Sequence, residues 1–215
     1  MEVFIKNRSF FIVYLFFFIL VGVFMLLYSK AELMQWVNAH NWPTGDLFFQ
    51  YVTNLGDGAF AVIVIVVLLF RSFRAALMGA ASFLLSTLIV RVLKEVVFAG
   101  SLRPLKYFEH SEWQYRIIDG LDIHSYNSFP SGHSTTAFAV FSLLALLDDR
   151  KNRGWFWALL AVITAYSRVY LFQHFVEDVY VGSVIGTVSS VVVFVLLSRY
   201  WGQNPKNWHN RRLRF

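Results

Sequence analysis

The sequence predicts an all-α polytopic membrane protein with six transmembrane helices, and three observations predict it. The chain is 57% hydrophobic and only 15% charged, where a soluble domain carries about 25% charged residues. The apolar residues fall into six long blocks, each approaching the roughly 20 residues needed to cross a hydrocarbon core as a helix. The basic residues gather on alternate connections between those blocks, the asymmetry that orients membrane proteins. We read one membrane-embedded domain over residues 1–215, with no internal repeat or low-complexity tract.

Residues 10–28 run without a charge behind Lys6 and Arg8 and are long enough to span. Ser29 and Ala31 imitate a small-x-small cleavage site, but the run exceeds the roughly 7–15 apolar residues of a signal peptide. Residues 30–58 read as a polar connection, with Trp36 and Trp42 suited to the membrane interface. The stretch Asn54-Leu-Gly-Asp-Gly58 predicts a helix start with Asp57 as N-cap; a catalytic Asp57 is the weaker reading. The uncharged part after Asp57 is short, so the second span, 51–70, either begins before Asp57 or is partly sheltered.

Arg71 and Arg74 mark a tight basic turn before the third span, 75–93, whose Ala, Ser and Gly79 suit close helix contacts. Arg91 and Glu95 lie four apart at its end and pair on one face. Residues 98–129 form a long extracytoplasmic loop, a length usually functional or disordered. Asp119, Asp122 and His124 sit in the right loop to touch a substrate, and solvation is the favoured of the two readings. Pro130-Ser-Gly-His133 then opens the fourth span, 131–147, and exposed N–H groups at such a helix start make an anion site. A short charged connection leads to the fifth span, 155–171, and the sixth covers 175–198. The tail carries Arg199, Lys206, Arg211, Arg212 and Arg214 with no acid.

Twelve of the 19 Lys and Arg residues fall on the side holding both termini, and 10 of the 13 acids fall on the other. The positive-inside rule then places both termini in the cytoplasm; if the source is bacterial, the membrane is the inner one. Anionic headgroups explain the basic tail, so no nucleic-acid partner is expected. The absence of cysteine removes disulfides and thiolate chemistry.

Between the last two spans the chain reads Ser167-Arg-Val-Tyr-Leu-Phe-Gln-His-Phe-Val-Glu-Asp178. Charges at the edge of hydrocarbon are costly and are usually functional. A helix starting near His174 would place His174 and Asp178 on one face, with the carboxylate holding the imidazole. Such a histidine is a nucleophile or base, and Arg168 is a fork for phosphate. The six-span topology carries Lys94, Arg103, Ser131, His133, Arg168, His174 and Asp178 to the outer ends of their spans. Three cations beside two histidines and an Asp suit an anionic lipid group and repel a divalent metal.

These residues carry a resemblance. Pro130-Ser-Gly-His133 and Ser167-Arg168-x5-His174-x3-Asp178 match two of the three signature parts of the type 2 phosphatidic acid phosphatases, whose fold is shared with vanadium haloperoxidases. The third part, K-x6-R-P, is met by Lys94 and Arg103-Pro104 with eight residues between them, a spacing that a bulge before Arg103 would accommodate, with Arg91 as the weaker substitute. The resemblance covers roughly residues 50–195 and implies a membrane lipid phosphatase. It implies His174 as nucleophile, Asp178 as its orienting group, and His133 as general acid. It also implies Lys94, Arg103, Arg168, Ser131 and the Gly132 N–H as phosphate ligands, with no cofactor and no metal. Undecaprenyl diphosphate, phosphatidylglycerol phosphate, phosphatidate and lipid A are the expected substrate class, isoprenyl diphosphate first. The alternatives are a lipid phosphotransferase, or a protein that binds or transports an anionic lipid without hydrolysis.

Overall fold

The computed structural model describes residues 2–206, 208–209 and 211–213; Arg214 of the basic tail lies outside them. A short α1 (Glu2–Lys6) leads into α2 (Arg8–Leu27). Then come α3 (Lys30–Ala39), α4 (Pro43–Val52), a 3-10 turn (Thr53–Gly56) and α5 (Gly58–Arg71). Helix α6 (Phe73–Val92) is prolonged by a π turn (Leu93–Val97). After α7 (Pro104–Tyr107) the chain closes with α8 (Gly132–Leu147), α9 (Gly154–Tyr170) and α10 (Val176–Gln203). Among the described residues the β-structure amounts to one isolated bridge between Leu102 and Tyr126.

Three of these helices are long and apolar enough to cross a membrane: α2, α6 with its π turn, and α10. The segment from α4 through the 3-10 turn and α5 together form a fourth candidate, bent by 57°. The bend sits where Asp57 turns extended (φ −75°, ψ 151°) and its carboxylate caps α5 by accepting from Ala59 N at 2.7 Å. A helix thus precedes Asp57 as well as following it, and Asp57 is an N-cap. Helix α8 has only 16 residues.

One expectation needs correction. Residues 30–58 are not merely a polar connection; most of them are helical. Ser29 and Glu32 form a reciprocal capping box at the start of α3, and Pro43 occupies the first turn of α4, where its missing N–H costs nothing. Both helices are tied to the long loop between α7 and α8. Asn38 exchanges two hydrogen bonds with the Arg116 backbone, at 2.7 and 2.8 Å. Arg116 pairs with the buried Asp46, which also accepts from the Tyr170 hydroxyl at 2.9 Å.

Helix α8 is the hub. It is apolar or small nearly all round and buried from Ser134 to Leu143, the pattern of a helix surrounded by others. Helix α10 approaches it through small residues. A Cβ at Gly182 would lie 2.8 Å from Ser131 O, and one at Gly186 would collide with Thr135 O. Ser190 then donates to Ala139 O at 2.7 Å. Small faces of this kind let backbones pack closely where hydrocarbon surrounds them. On the other flank Tyr14 and Phe17 of α2 pack on Phe138, with ring centroids 5.5 and 5.6 Å away. These contacts bring the C-terminal ends of α6 and α9 and the N-terminal ends of α8 and α10 to one end of the bundle.

Candidate active site

The turn between α9 and α10 is built from its own backbone. Gln173 N and His174 N both donate to Arg168 O, at 2.9 and 3.1 Å. Phe172 takes φ +60°, an uncommon conformation for an aromatic residue. It is held by rings of the loop between α7 and α8, with Tyr115 stacked at 5.0 Å and Trp113 at 6.0 Å. The turn drives His174 inward until it is 1% exposed.

Asp178 meets His174 there. Its Oδ2 is 3.2 Å from His174 Nδ1. Helix α10 starts at Val176, so the pair does not share a helical face as the sequence suggested; His174 precedes the N-cap. The same Oδ2 accepts from Phe175 N at 2.9 Å and from the buried Ser128 hydroxyl at 2.5 Å. With Nδ1–H directed at this carboxylate, Nε2 keeps its lone pair. Burial first, then Arg103, Arg168 and Lys94, holds the His174 pKa well below the ordinary histidine value, so the imidazole is neutral.

Ser131 caps α8, its Oγ accepting from Ser134 N at 3.4 Å and also from the Ser134 hydroxyl at 2.9 Å. Its N–H is taken by Asp178 O at 3.0 Å. That bond locks the start of α8 to the start of α10, and the glycine contacts described above make it reachable. No protein atom lies within 4 Å of where a Cβ on Gly132 would stand, so the first turn of α8 borders open space. His133 follows, with its Nε2 3.8 Å from Asp57 Oδ2.

Three cations enter from three segments. Lys94 leaves α6 inside the π turn and donates to Asn127 O at 2.8 Å; Arg103, Asp178 and Arg168 are the charged groups acting on it. The π turn, together with Gly100 at φ +76°, takes up the extra residues between Lys94 and Arg103. Arg91 points elsewhere, pairing with Glu95 at 3.0 Å as expected. Arg103 is 8% exposed and donates through Nε to Tyr126 O at 3.0 Å and through Nη1 to Gln173 Oε1 at 3.2 Å. Arg168, equally buried, donates through Nη1 to Thr53 Oγ1 at 2.7 Å, and its Nε is buried with no hydrogen-bond partner.

All eight residues singled out in the sequence therefore sit at one end of the bundle. Besides backbone groups, four further side chains act on them: Ser128, Gln173, Thr53 and Asp57. Ser128 and Gln173 adjoin the motifs but carried no signal of their own. Thr53 and Asp57 come from the bend between α4 and α5, and only the N-cap signature marked that place. Asp119, Asp122 and His124 are exposed; Asp122 contributes its carbonyl, which accepts from Gln173 Nε2 at 3.0 Å. Among the described residues no three His, Asp or Glu side chains converge as metal ligands.

The site thus gathers a buried histidine on a carboxylate, a second histidine and three cations, and comparison with known proteins places the chain. A family model described as PAP2 superfamily matches residues 75–201, more than half the chain and all eight residues. The chain belongs to that family. Its relatives include a protein called bacitracin transport permease protein BcrC, from Bacillus licheniformis, 37% identical over 68 residues that make up 32% of each chain. The lipid A 1-phosphatase of Rhizobium johnstonii is 30% identical over 115 residues, 53% of this chain and 44% of the relative. The chain thus spans less than half the length of these two relatives. The undecaprenyl-diphosphatase BcrC of Bacillus subtilis is 24% identical over 78% of this chain and 82% of its own.

Two solved structures share the fold. The crystal structure of Aquifex aeolicus LpxE superposes with a TM-score of 0.66 at 25% identity, over 77% of this chain and 94% of that one. A transmembrane PAP2 type phosphatidylglycerolphosphate phosphatase from Bacillus subtilis gives 0.65 at 24% identity, over 92% and 97%. Apolar helices and this kinship make the protein an integral membrane protein.

Proposed function

We propose that this protein is a membrane lipid phosphatase that hydrolyses a lipid phosphate or diphosphate through a phosphohistidine, with no metal required. The observation that carries the reading is Arg168. Its guanidinium is buried with Nε unmatched, beside Lys94 and Arg103 and next to a neutral histidine. A buried donor without a partner is costly, and a phosphate oxygen is the partner whose shape and charge complete it.

The chemistry follows from the geometry. His174 Nε2 attacks phosphorus while Asp178 holds Nδ1–H and stabilises the imidazolium that forms. The bond from phosphorus to the lipid oxygen, or to the bridging oxygen of a diphosphate, breaks. His133 gives that oxygen its proton. Lys94, Arg103, Arg168, Ser131 and the Gly132 N–H hold the equatorial oxygens as charge moves onto the leaving group. Water then cleaves the P–N bond, His133 taking its proton, and inorganic phosphate leaves.

In the bilayer we take α2, the bent α4–α5 pair, α6, α8, α9 and α10 as six crossings. Both termini are cytoplasmic and the site faces outward. The support is the basic tail and basic turns on one side, with the site residues at or beside the opposite helix ends. The substrate class is a bilayer lipid carrying an exposed phosphate or diphosphate, such as undecaprenyl diphosphate or lipid A. The relatives named as a lipid A 1-phosphatase and an undecaprenyl-diphosphatase support this class, and isoprenyl diphosphate is the first choice.

The test is phosphate release by the detergent-purified protein from undecaprenyl diphosphate, phosphatidate, phosphatidylglycerol phosphate and lipid A, with and without EDTA, with His174→Ala as control. Release that needs His174 and ignores EDTA is the expected result. A folded protein that releases phosphate from none of them, while binding or moving the lipid, would establish the transport reading. Loss of the substrate phosphate only when a second lipid acceptor is present, with the phosphoryl group recovered on that acceptor, would establish a phosphotransferase.

A further inference from the structure

Asp57 does two things at once. Its Oδ1 accepts from Ala59 N at 2.7 Å and caps α5. Its Oδ2 lies 3.8 Å from His133 Nε2, inside ion-pair range and beyond a hydrogen bond. The approach is built into the packing, because Gly56 sits so tightly on the first turn of α8 that a Cβ there would be 2.7 Å from His133 O. Of the charged groups acting most strongly on His133, namely Arg168, Asp57, Arg103 and Lys94, Asp57 is the anion.

An imidazole facing three cations loses its proton readily, yet a general acid must hold one. We propose that Asp57 is a positioning residue for His133: its carboxylate steadies the Nε2 edge of the ring and favours the protonated form. The inference rests on the general-acid role given to His133 above. Asp57 also acts on Arg168, whose Nη1 is already held by Thr53, so the bend between α4 and α5 supports both groups. A carboxylate supplied from this bend stands apart from Asp178, which serves the other histidine.

Asp57→Asn separates the two roles. Asn keeps an N-cap acceptor and removes the charge. The measurement is NMR of the full-length protein in detergent with ring-labelled histidine, the His133 signal being assigned by its loss in His133→Gln. The His133 midpoint should fall by about one pH unit in Asp57→Asn, a size set by a charge near 4 Å in a partly exposed site. The alkaline limb of kcat should move down by a similar amount, with the thermal midpoint unchanged and activity recovering as pH is lowered. An unshifted His133 titration in folded Asp57→Asn overturns the inference. A wild type that releases no lipid phosphate sinks the phosphatase reading instead. The NMR titration still decides this one, a shift supporting it and no shift overturning it.

Discussion

Asp178 holds His174 from inside a helix cap. One oxygen, Oδ2, receives Phe175 N at 2.9 Å, the Ser128 hydroxyl at 2.5 Å and the edge of His174 at Nδ1, 3.2 Å away. The carboxylate therefore does structural and chemical work together: it starts α10 and sets the tautomer of the histidine before it. Asp178→Asn keeps the size and an acceptor for the cap but presents an amide that does not fix that tautomer or stabilise the imidazolium. We expect kcat to fall by about 10³-fold or more, with KM changed little and the thermal midpoint within a few degrees. Steady-state kinetics on the preferred lipid checks it, and a kcat within tenfold of wild type would remove Asp178 from its role.

Ser128→Ala tests the other side of the same oxygen. Ser128 is 1% exposed, and losing a buried donor to a charged acceptor costs about 1.5–3 kcal/mol. The loss falls on the position of Asp178, so kcat should drop by roughly 10–100-fold while KM holds. A drop in KM-related binding with kcat preserved would place Ser128 at the substrate instead.

How much of this was readable before folding depends on sequence distance. His174 and Asp178 are four residues apart, and Ser131 and His133 are two apart, so local motifs exposed them. Ser128 reaches Asp178 across 50 residues, Gln173 reaches Arg103 across 70, and Thr53 reaches Arg168 across 115. Such pairs depend on which helices pack together, which apolar runs do not specify. Helices α3 and α4 were missed because ten residues with mixed polarity look like a connection. The Ser29-x-x-Glu32 capping box was the signal that would have found the first of them. The two extra residues between Lys94 and Arg103 left the lysine's fit open in the sequence, and a π turn absorbs a residue without ending its helix.

The acid limb of activity should belong to His174. Only its neutral form has a lone pair on Nε2, and burial with three cations depresses its pKa. The active form is present above that depressed value and lost as pH falls through it. The acid limb of kcat/KM on a lipid diphosphate therefore lies below the ordinary histidine midpoint of 6.5. Arg103→Ala removes the largest of the charge effects and should move that limb upward. A limb that stays in place, or moves down, assigns it to another group.

Gly186 is where α10 touches α8, and stability should register it. A Cβ there would collide with Thr135 O and lie 2.8 Å from Ala139 N. Both are backbone atoms that cannot rotate away, so Gly186→Ala should cost about 1–3 kcal/mol. Thermal unfolding in detergent reads this as a lowered midpoint. Gly202, with no atom within 4 Å of a Cβ, is the control and should tolerate Ala. Activity in Gly186→Ala should fall with folding, because the same contact keeps Ser131 N on Asp178 O.

Lys94 and Arg91 offer the sharpest comparison, because they are three residues apart and only one faces the site. Arg91 is 72% exposed at its side chain and pairs with Glu95, and an exposed pair of this kind contributes roughly 0.2–1 kcal/mol at most. Arg91→Ala should leave kcat and KM within about twofold of wild type. Lys94 instead reaches Asn127 O at 2.8 Å and shares its surroundings with Arg103, Asp178 and Arg168. An ammonium held there meets the phosphate before and during transfer, so Lys94→Ala should raise KM and lower kcat/KM by about 10²-fold, a loss typical of one charge-stabilising donor. Lys94→Arg should recover little, since a planar fork does not replace a compact charge on a fixed carbonyl. Kinetics of the three variants on one substrate decides it. A larger loss in Arg91→Ala than in Lys94→Ala would mean that the first phosphate-binding motif begins at Arg91 and that the π turn serves some other purpose.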